Sequence, residues 1–241
     1  NFFANKGGKM RKLAKKLKDE TIELEENKVD VRKEDKTIRP FEIVAQEIVG
    51  DIVTIDSIKV IKGHTPEMKP VNKILRQRSR LLVSGPNGMG KSTFLRALAS
   101  GDHEGARIMD KVKVGYYSQD FSTLNFEETV FDSLKGAMGD GLDLQEVRSI
   151  AAGFLITGEL MGHKVVELSE GQKGLLSFAR LAIMRPALLI LDEPTNHINF
   201  RHIPVIAEAI NDYQGCLILV SHMAEFVRDI KINDELDLGK L

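Results

Sequence analysis

The sequence has one cysteine, no tryptophan and almost no net charge, with 34 basic against 35 acidic side chains in 241 residues. A lone Cys216 excludes an internal disulfide and suits a reducing compartment, so a cytoplasmic location is expected. Charge balance gives the chain as a whole no bias toward nucleic acid or lipid surfaces. No apolar run approaches the roughly 18 residues that a membrane-spanning helix needs, and no secretory signal pattern opens the chain, so direct membrane insertion is not expected. The hydrophobic share, 42%, is ample for one sizeable core with an appendage.

The balance conceals a local excess. Lys6, Lys9, Arg11, Lys12, Lys15, Lys16 and Lys18 precede the first acidic residue, Asp19, which concentrates positive potential at one end. Met10, Leu13, Leu17 and Leu24 fall on a heptad-like stripe that Glu20 interrupts, the pattern of an amphipathic helix in need of a partner. Gly7-Gly8 reads as a turn just before it, so residues 1–40 are expected to form a basic helical arm, part of a helical hairpin. Arg39-Pro40 ends it, because proline disfavours helical geometry in the preceding residue. Residues 41–241 read as one globular α/β domain. Strands are expected at Phe41–Val49, Ile52–Ile61, Arg80–Ser84, Val112–Tyr117, Leu188–Leu191 and Leu217–Val220. Helices are expected at Ser92–Ala99, Glu146–Leu160 and Gly171–Ile183. The two last strands are continuous aliphatic runs, as in parallel sheets covered on both faces.

Two motifs carry chemistry. Gly85-Pro86-Asn87-Gly88-Met89-Gly90-Lys91-Ser92-Thr93 fits G-x-x-x-x-G-K-[ST] between a predicted strand and a predicted helix. Glycines there let successive N–H groups converge on an anion, and the helix adds its positive end. Lys91 would neutralise the β- and γ-phosphates of ATP, and the Ser92 hydroxyl would coordinate Mg²⁺. Downstream, Asp192-Glu193 ends an apolar strand, at the edge where open α/β sheets bind ligands. Asp192 is expected to hold the metal and Glu193 to act on the attacking water. An Asp-Glu pair alone is as often a solvated cap; its company with the phosphate loop favours catalysis.

Leu168-Ser169-Glu170-Gly171-Gln172, ahead of a predicted helix, resembles the LSGGQ signature of the ATP-binding-cassette superfamily. The resemblance implies a P-loop NTPase cassette: a mostly parallel core sheet, a small antiparallel β subdomain and a helical subdomain. It also implies that Ser169, Glu170, Gly171 and Gln172 contact ATP held by a partner cassette. By the same resemblance Gln119 is the glutamine that senses Mg²⁺ and the γ-phosphate, and His222 is the switch histidine.

Glu193-Pro194-Thr195-Asn196-His197, with Lys173 after the signature and Ser221-His222, is similar to the ABC-F branch. That branch implies two cassettes joined by a helical linker, and action on the ribosome as a translation factor or in antibiotic resistance. Residues 1–40 would be the linker's carboxyl part, with Lys6, Lys9, Arg11, Lys12, Lys15 and Lys16 on tRNA or ribosomal RNA phosphates. A transporter's nucleotide-binding subunit and a nucleotide-binding switch with negligible turnover are the alternatives. The chain departs from the pattern at Glu170 (for glycine), at Gly174-Leu175 (where arginine is common), at Ile198-Asn199 (for leucine and aspartate) and in having no Tyr or Phe between Ile52 and Ile74 to stack on adenine. His64 or an aliphatic side chain would stand in there.

Overall fold

The structure, a computed structural model, describes residues 36–62, 65–139 and 142–241. The basic side chains from Lys6 to Lys16 and His64 lie outside the described residues. The packed unit runs from Thr37 to Leu241, and Ile38 is 2% exposed within it.

A five-stranded sheet forms its centre, in the order β5 (Val114–Tyr117), β6 (Leu188–Asp192), β7 (Cys216–Val220), β3 (Arg80–Ser84), β8 (Asp234–Asp237). Every pairing is parallel. The aliphatic runs sort by the two-residue period of a strand. Leu189, Leu191, Leu217 and Leu219 face one core, while Leu188, Ile190, Ile218 and Val220 face the other. Both faces are dry, so neither strand shows the apolar–polar alternation of a half-exposed sheet.

One face is covered by α1 (Lys91–Ser100), through Phe94, Leu95 and Leu98, and by a three-stranded antiparallel sheet of β2 (Thr65–Arg76), β1 (Asp51–Lys62) and β4 (Ala106–Ile108). The other face meets the helical subdomain: α2 (Val130–Gly136), α3 (Leu144–Gly153), α4 (Gly158–Met161) and α5 (Glu170–Met184). α6 (Ile203–Asp212) and α7 (Ala224–Asp229) complete the unit. Among the described residues no helix is long and apolar enough to cross a membrane.

Two expected elements take another form. Phe41–Val49 is an extended strap and not a strand. Its alternation records one-sided burial: Ile43 enters the core and Phe41 packs on Phe154, ring centroids 4.6 Å apart. A ladder is replaced by Gln46, whose backbone N–H donates to Pro186 O while its side-chain amide bonds Lys111 O and Lys113 N. The helix expected over Glu146–Leu160 is two. α3 starts earlier, at an Asp143–Glu146 capping box, and stops at Leu155, where φ is 62° and Ile156 N–H reaches back to Ala151 O.

Candidate functional site

The carboxyl ends of β3, β5, β6 and β7 deliver Gly85, Gln119, Glu193 and His222 to the same edge of the sheet. A cleft of about 440 Å³ there is lined by Asn87, Gly88, Gly90, Lys91, Ser92, Thr93, Gln119, Glu193 and His222, all expected from the sequence, and by Ile61, Asn196 and Val220. A wider groove of about 880 Å³ lies between the strap and α6 and contains no motif residue. Volume alone therefore does not locate the chemistry.

The floor of the cleft is built for an anion. The cap of α1 is Gly90 in the left-handed region, φ 95°, with no side-chain hydrogen bond and no acidic residue in the first turn. The amides of Lys91, Ser92 and Thr93 are thus left without the carboxylate or hydroxyl partner a helix start ordinarily has. Phe94 N–H to Gly90 O, 2.8 Å, is the first bond of the helix. Lys91 folds back, its Nζ donating to Gly85 O at 2.7 Å and Pro86 O at 3.0 Å. Burial lowers its pKa, against the attraction of Glu193 and Asp192.

The acidic wall is equally specific. Ser92 Oγ donates to Asp192 Oδ1 at 3.1 Å, which puts two hard oxygen donors side by side, and burial holds the Asp192 carboxyl above the ordinary range. A divalent cation beside bound phosphates would offset that cost. No group of three or more His, Cys, Asp or Glu side chains among the described residues is arranged as a metal site. The Ser92–Asp192 pair of hard oxygen donors fits an ion that takes its other ligands from phosphate oxygens and water, as Mg²⁺ does.

Glu193 is 6% exposed and sits at φ 50°. A left-handed non-glycine residue costs roughly 1–2 kcal/mol; here the turn is held by Glu193 N–H to Val220 O and Asn196 N–H to Glu193 O. Its Oε2 accepts His222 N–H at 3.1 Å. Oε1 lies 3.4 Å from His222 Nε2, within ion-pair range but not aligned for a hydrogen bond, so this buried oxygen has no hydrogen-bond partner.

The signature residues lie elsewhere. Ser169 caps α5, accepting Gln172 N–H at 3.3 Å while Gln172 Oε1 accepts Ser169 N–H at 2.9 Å. Glu170 pairs with Lys173 at 3.1 Å. None of Ser169, Glu170, Gly171 and Gln172 lines the cleft.

Two departures from the family pattern fit each other. A Cβ at Gly174 would lie 2.5 Å from Ile198 Cδ1 and 3.0 Å from the buried Tyr117 hydroxyl. Ile198, five residues past Glu193, thus fills the space that a larger residue at 174 would occupy, and joins the segment after β6 to the signature helix. Gly174→Ala is expected to destabilise the chain by about 1–3 kcal/mol through overpacking. Urea unfolding should show the loss, with recovery of most of it when Ile198→Val removes the opposing methyl.

Of the residues at the cleft, Ile61, Asn196 and Val220 are not among the expected site residues. The Ile61 N–H donates to Met89 O, and its side chain lies 3.6 Å from where a Cβ on Gly90 would be. The only sequence signal was the absence of an aromatic in β1.

Comparison with known proteins identifies the family of the fold. The chain is 32% identical over 236 residues to the "Probable ATP-binding protein YbiT" of Escherichia coli O157:H7, covering 95% of this chain and 43% of that protein. It is 37% identical over 155 residues to the ATP-binding cassette sub-family F member 3 of Mus musculus, covering 62% of this chain and 22% of that one. The chain therefore spans less than half the length of these relatives. Among solved structures, a bacterial Atm1-family ABC exporter with ATP bound superposes with a TM-score of 0.63 at 23% identity, over 82% of this chain and 39% of the other. The dimeric cassette MJ0796 superposes at 0.58 and 19% identity, over 78% and 95%. Both likenesses are in fold. Residues 68–196, more than half of the sequence, match the ABC transporter family, and the chain belongs to that family as an ATP-binding cassette.

Proposed function

We propose that this cassette hydrolyses MgATP, with a second cassette, inside a protein of the ABC-F type that acts on the ribosome. Hydrolysis rests on one observation: a buried carboxylate, Glu193, with an oxygen that has no hydrogen-bond partner, lines a cleft floored by the uncapped start of α1. The amides of Gly88 to Thr93 bind the phosphate oxygens, and Lys91 exchanges its two carbonyl partners for the β- and γ-phosphates. Mg²⁺, when bound, neutralises phosphate charge, and Ser92, Asp192 and Gln119 are the residues that would hold it. Glu193 Oε1 takes the proton of a water as that water's oxygen forms the new P–O bond and the bond to ADP breaks. His222, anchored to Glu193 through its N–H, stands beside the γ-phosphate. Ser169 lies outside its own cleft, which supports its use on a partner's nucleotide, where the start of α5 would complete the charge stabilisation.

The ABC-F assignment is supported by Glu193-Pro-Thr-Asn-His197, by the cluster Lys6, Lys9, Arg11, Lys12, Lys15 and Lys16, and by the likeness to sub-family F members. Such a cluster would contact RNA phosphates with little sequence readout and a strong dependence on salt. Full-length protein carrying Glu193→Gln is expected to co-sediment with purified ribosomes in MgATP and to release as salt rises. Failure to bind in every nucleotide state would move the reading to a transporter subunit.

A further inference from the structure

We infer that the turn Asp237–Lys240 is a brace for the phosphate loop, and that Gly239 is a positioning residue for nucleotide binding; this rests on the reading of that loop as the triphosphate site. β3 and β8 run parallel in a register that pairs Ser84 with Asp237, so the two chains leave the sheet side by side at the same level. One becomes the phosphate loop and the other becomes this turn. The join is fixed from below, where Ser84 Oγ donates to Glu235 Oε1 at 2.6 Å and Leu238 is fully buried. It is fixed from above within the turn itself. Asp237 Oδ1 accepts Gly239 N–H at 2.9 Å, and Lys240 Nζ lies 3.1 Å from Asp237 Oδ2.

The two backbones then interlock. A Cβ on Gly85, whose φ is 128°, would stand 3.1 Å from Gly239 N and 3.3 Å from Leu238 Cβ. A Cβ on Gly239 would stand 3.2 Å from Pro86 Cδ and 3.1 Å from Asp237 Oδ1. Each turn occupies the space that a side chain on the other would need. Pro86 has a fixed φ and cannot step aside by rotating about it. Pressure at Gly239 falls on Asp237 Oδ1 within the turn and on the Pro86 ring, which passes a shift of a few tenths of an ångström to the Gly85–Pro86 backbone. Gly85 O and Pro86 O are the two acceptors of Lys91 Nζ, so the displacement reaches the lysine of the phosphate loop directly. The brace thus sets where the loop's carbonyls and the Lys91 ammonium sit before nucleotide arrives, and preorganisation of that kind is read out as affinity.

Gly239 lies outside the residues that line the cleft, and its φ is not in the left-handed region. An added methyl therefore acts only through contact. The test is MgATP affinity of the chain, measured by displacement of a fluorescent ATP analogue, for the unaltered protein and for Gly239→Ala, Gly239→Val and Asp237→Ala, with a thermal melt of each. Gly239→Ala should weaken binding about fivefold and Gly239→Val more than tenfold, with unfolding midpoints little changed. Asp237→Ala, which loosens the turn without adding volume, should weaken binding two- to threefold. Pro86→Ala removes the ring carbon that the new methyl meets, so measured against Pro86→Ala alone, Gly239→Ala should weaken binding less than twofold, which is the rescue expected of a contact between the two. A purely structural role would lower the melting temperature, leave the affinity of the folded fraction unchanged and show no rescue. Affinities within twofold of the unaltered chain for both Gly239 variants would overturn the brace. An unaltered chain that binds no MgATP would overturn both the brace and the triphosphate reading.

Discussion

Glu193→Gln is expected to cut phosphate release by about two to four orders of magnitude, the range general-base catalysis supplies, while MgATP still binds. The amide keeps the size of the side chain and an oxygen that can accept His222 N–H, the bond now made at 3.1 Å by Oε2. What it loses is the basic lone pair on the buried Oε1, which at present has no hydrogen-bond partner. The left-handed turn at Glu193 is held by backbone bonds to Val220 and Asn196 and so survives the change. Steady-state phosphate release and retention of labelled ATP, measured on the full-length protein, separate the two effects. A loss of turnover with retained nucleotide identifies Glu193 as the base. Turnover already negligible in the unaltered protein, with no change on substitution, would identify a nucleotide-binding switch instead.

What was legible in the sequence follows from how local its physical cause is. The phosphate loop needs only a strand end, glycines and a helix start, all within a dozen residues; Asn87, Gly88, Gly90, Lys91, Ser92 and Thr93 of it line one cleft, while Gly85, Pro86 and Met89 do not. The aliphatic runs at Leu188–Leu191 and Leu217–Val220 announced a sheet buried on both faces, because only such a sheet dispenses with polar alternation. Phe41–Val49 failed for the same kind of reason. A period of two reports that one side is buried, and a strap gripping the domain through Gln46 and Phe41 is buried on one side without any neighbouring strand. The break at Leu155 depends on a left-handed residue that no glycine or asparagine marks. Ile61 and Gly239 stayed hidden because their meaning lies in approach across the fold. Gly239 lies beside Pro86 only through the register of β8 against β3, and no local pattern encodes that register. Gly174 and Ile198 looked like two independent departures from a family pattern; in the structure they are one contact.

Lys91→Met should reduce MgATP affinity by about two orders of magnitude, since hydrogen bonds to charged groups contribute about 1.5–3 kcal/mol each and, among the described residues, Lys91 is the only lysine lining the cleft. The measured loss is a difference between two states. In the structure Lys91 Nζ donates to Gly85 O and Pro86 O, so its removal also leaves those carbonyls to find water. With nucleotide, the ammonium meets formal negative charge, and the methionine thioether offers neither donor nor charge. The pH dependence distinguishes this role from a loss of packing. Burial depresses the Lys91 pKa in the free protein, and bound phosphates raise it again by supplying opposite charge. A group whose pKa rises on binding contributes affinity that is fully present below its free-state pKa and is lost as pH climbs through the bound-state value. Affinity measured by titration calorimetry at increasing alkaline pH should therefore fall for the unaltered chain, with proton uptake accompanying binding in that window. Lys91→Met should show a lower affinity throughout and lack that component of the fall. An unaltered pH profile in the variant would mean that some other group carries the alkaline titration and that the ammonium of Lys91 does not bind phosphate.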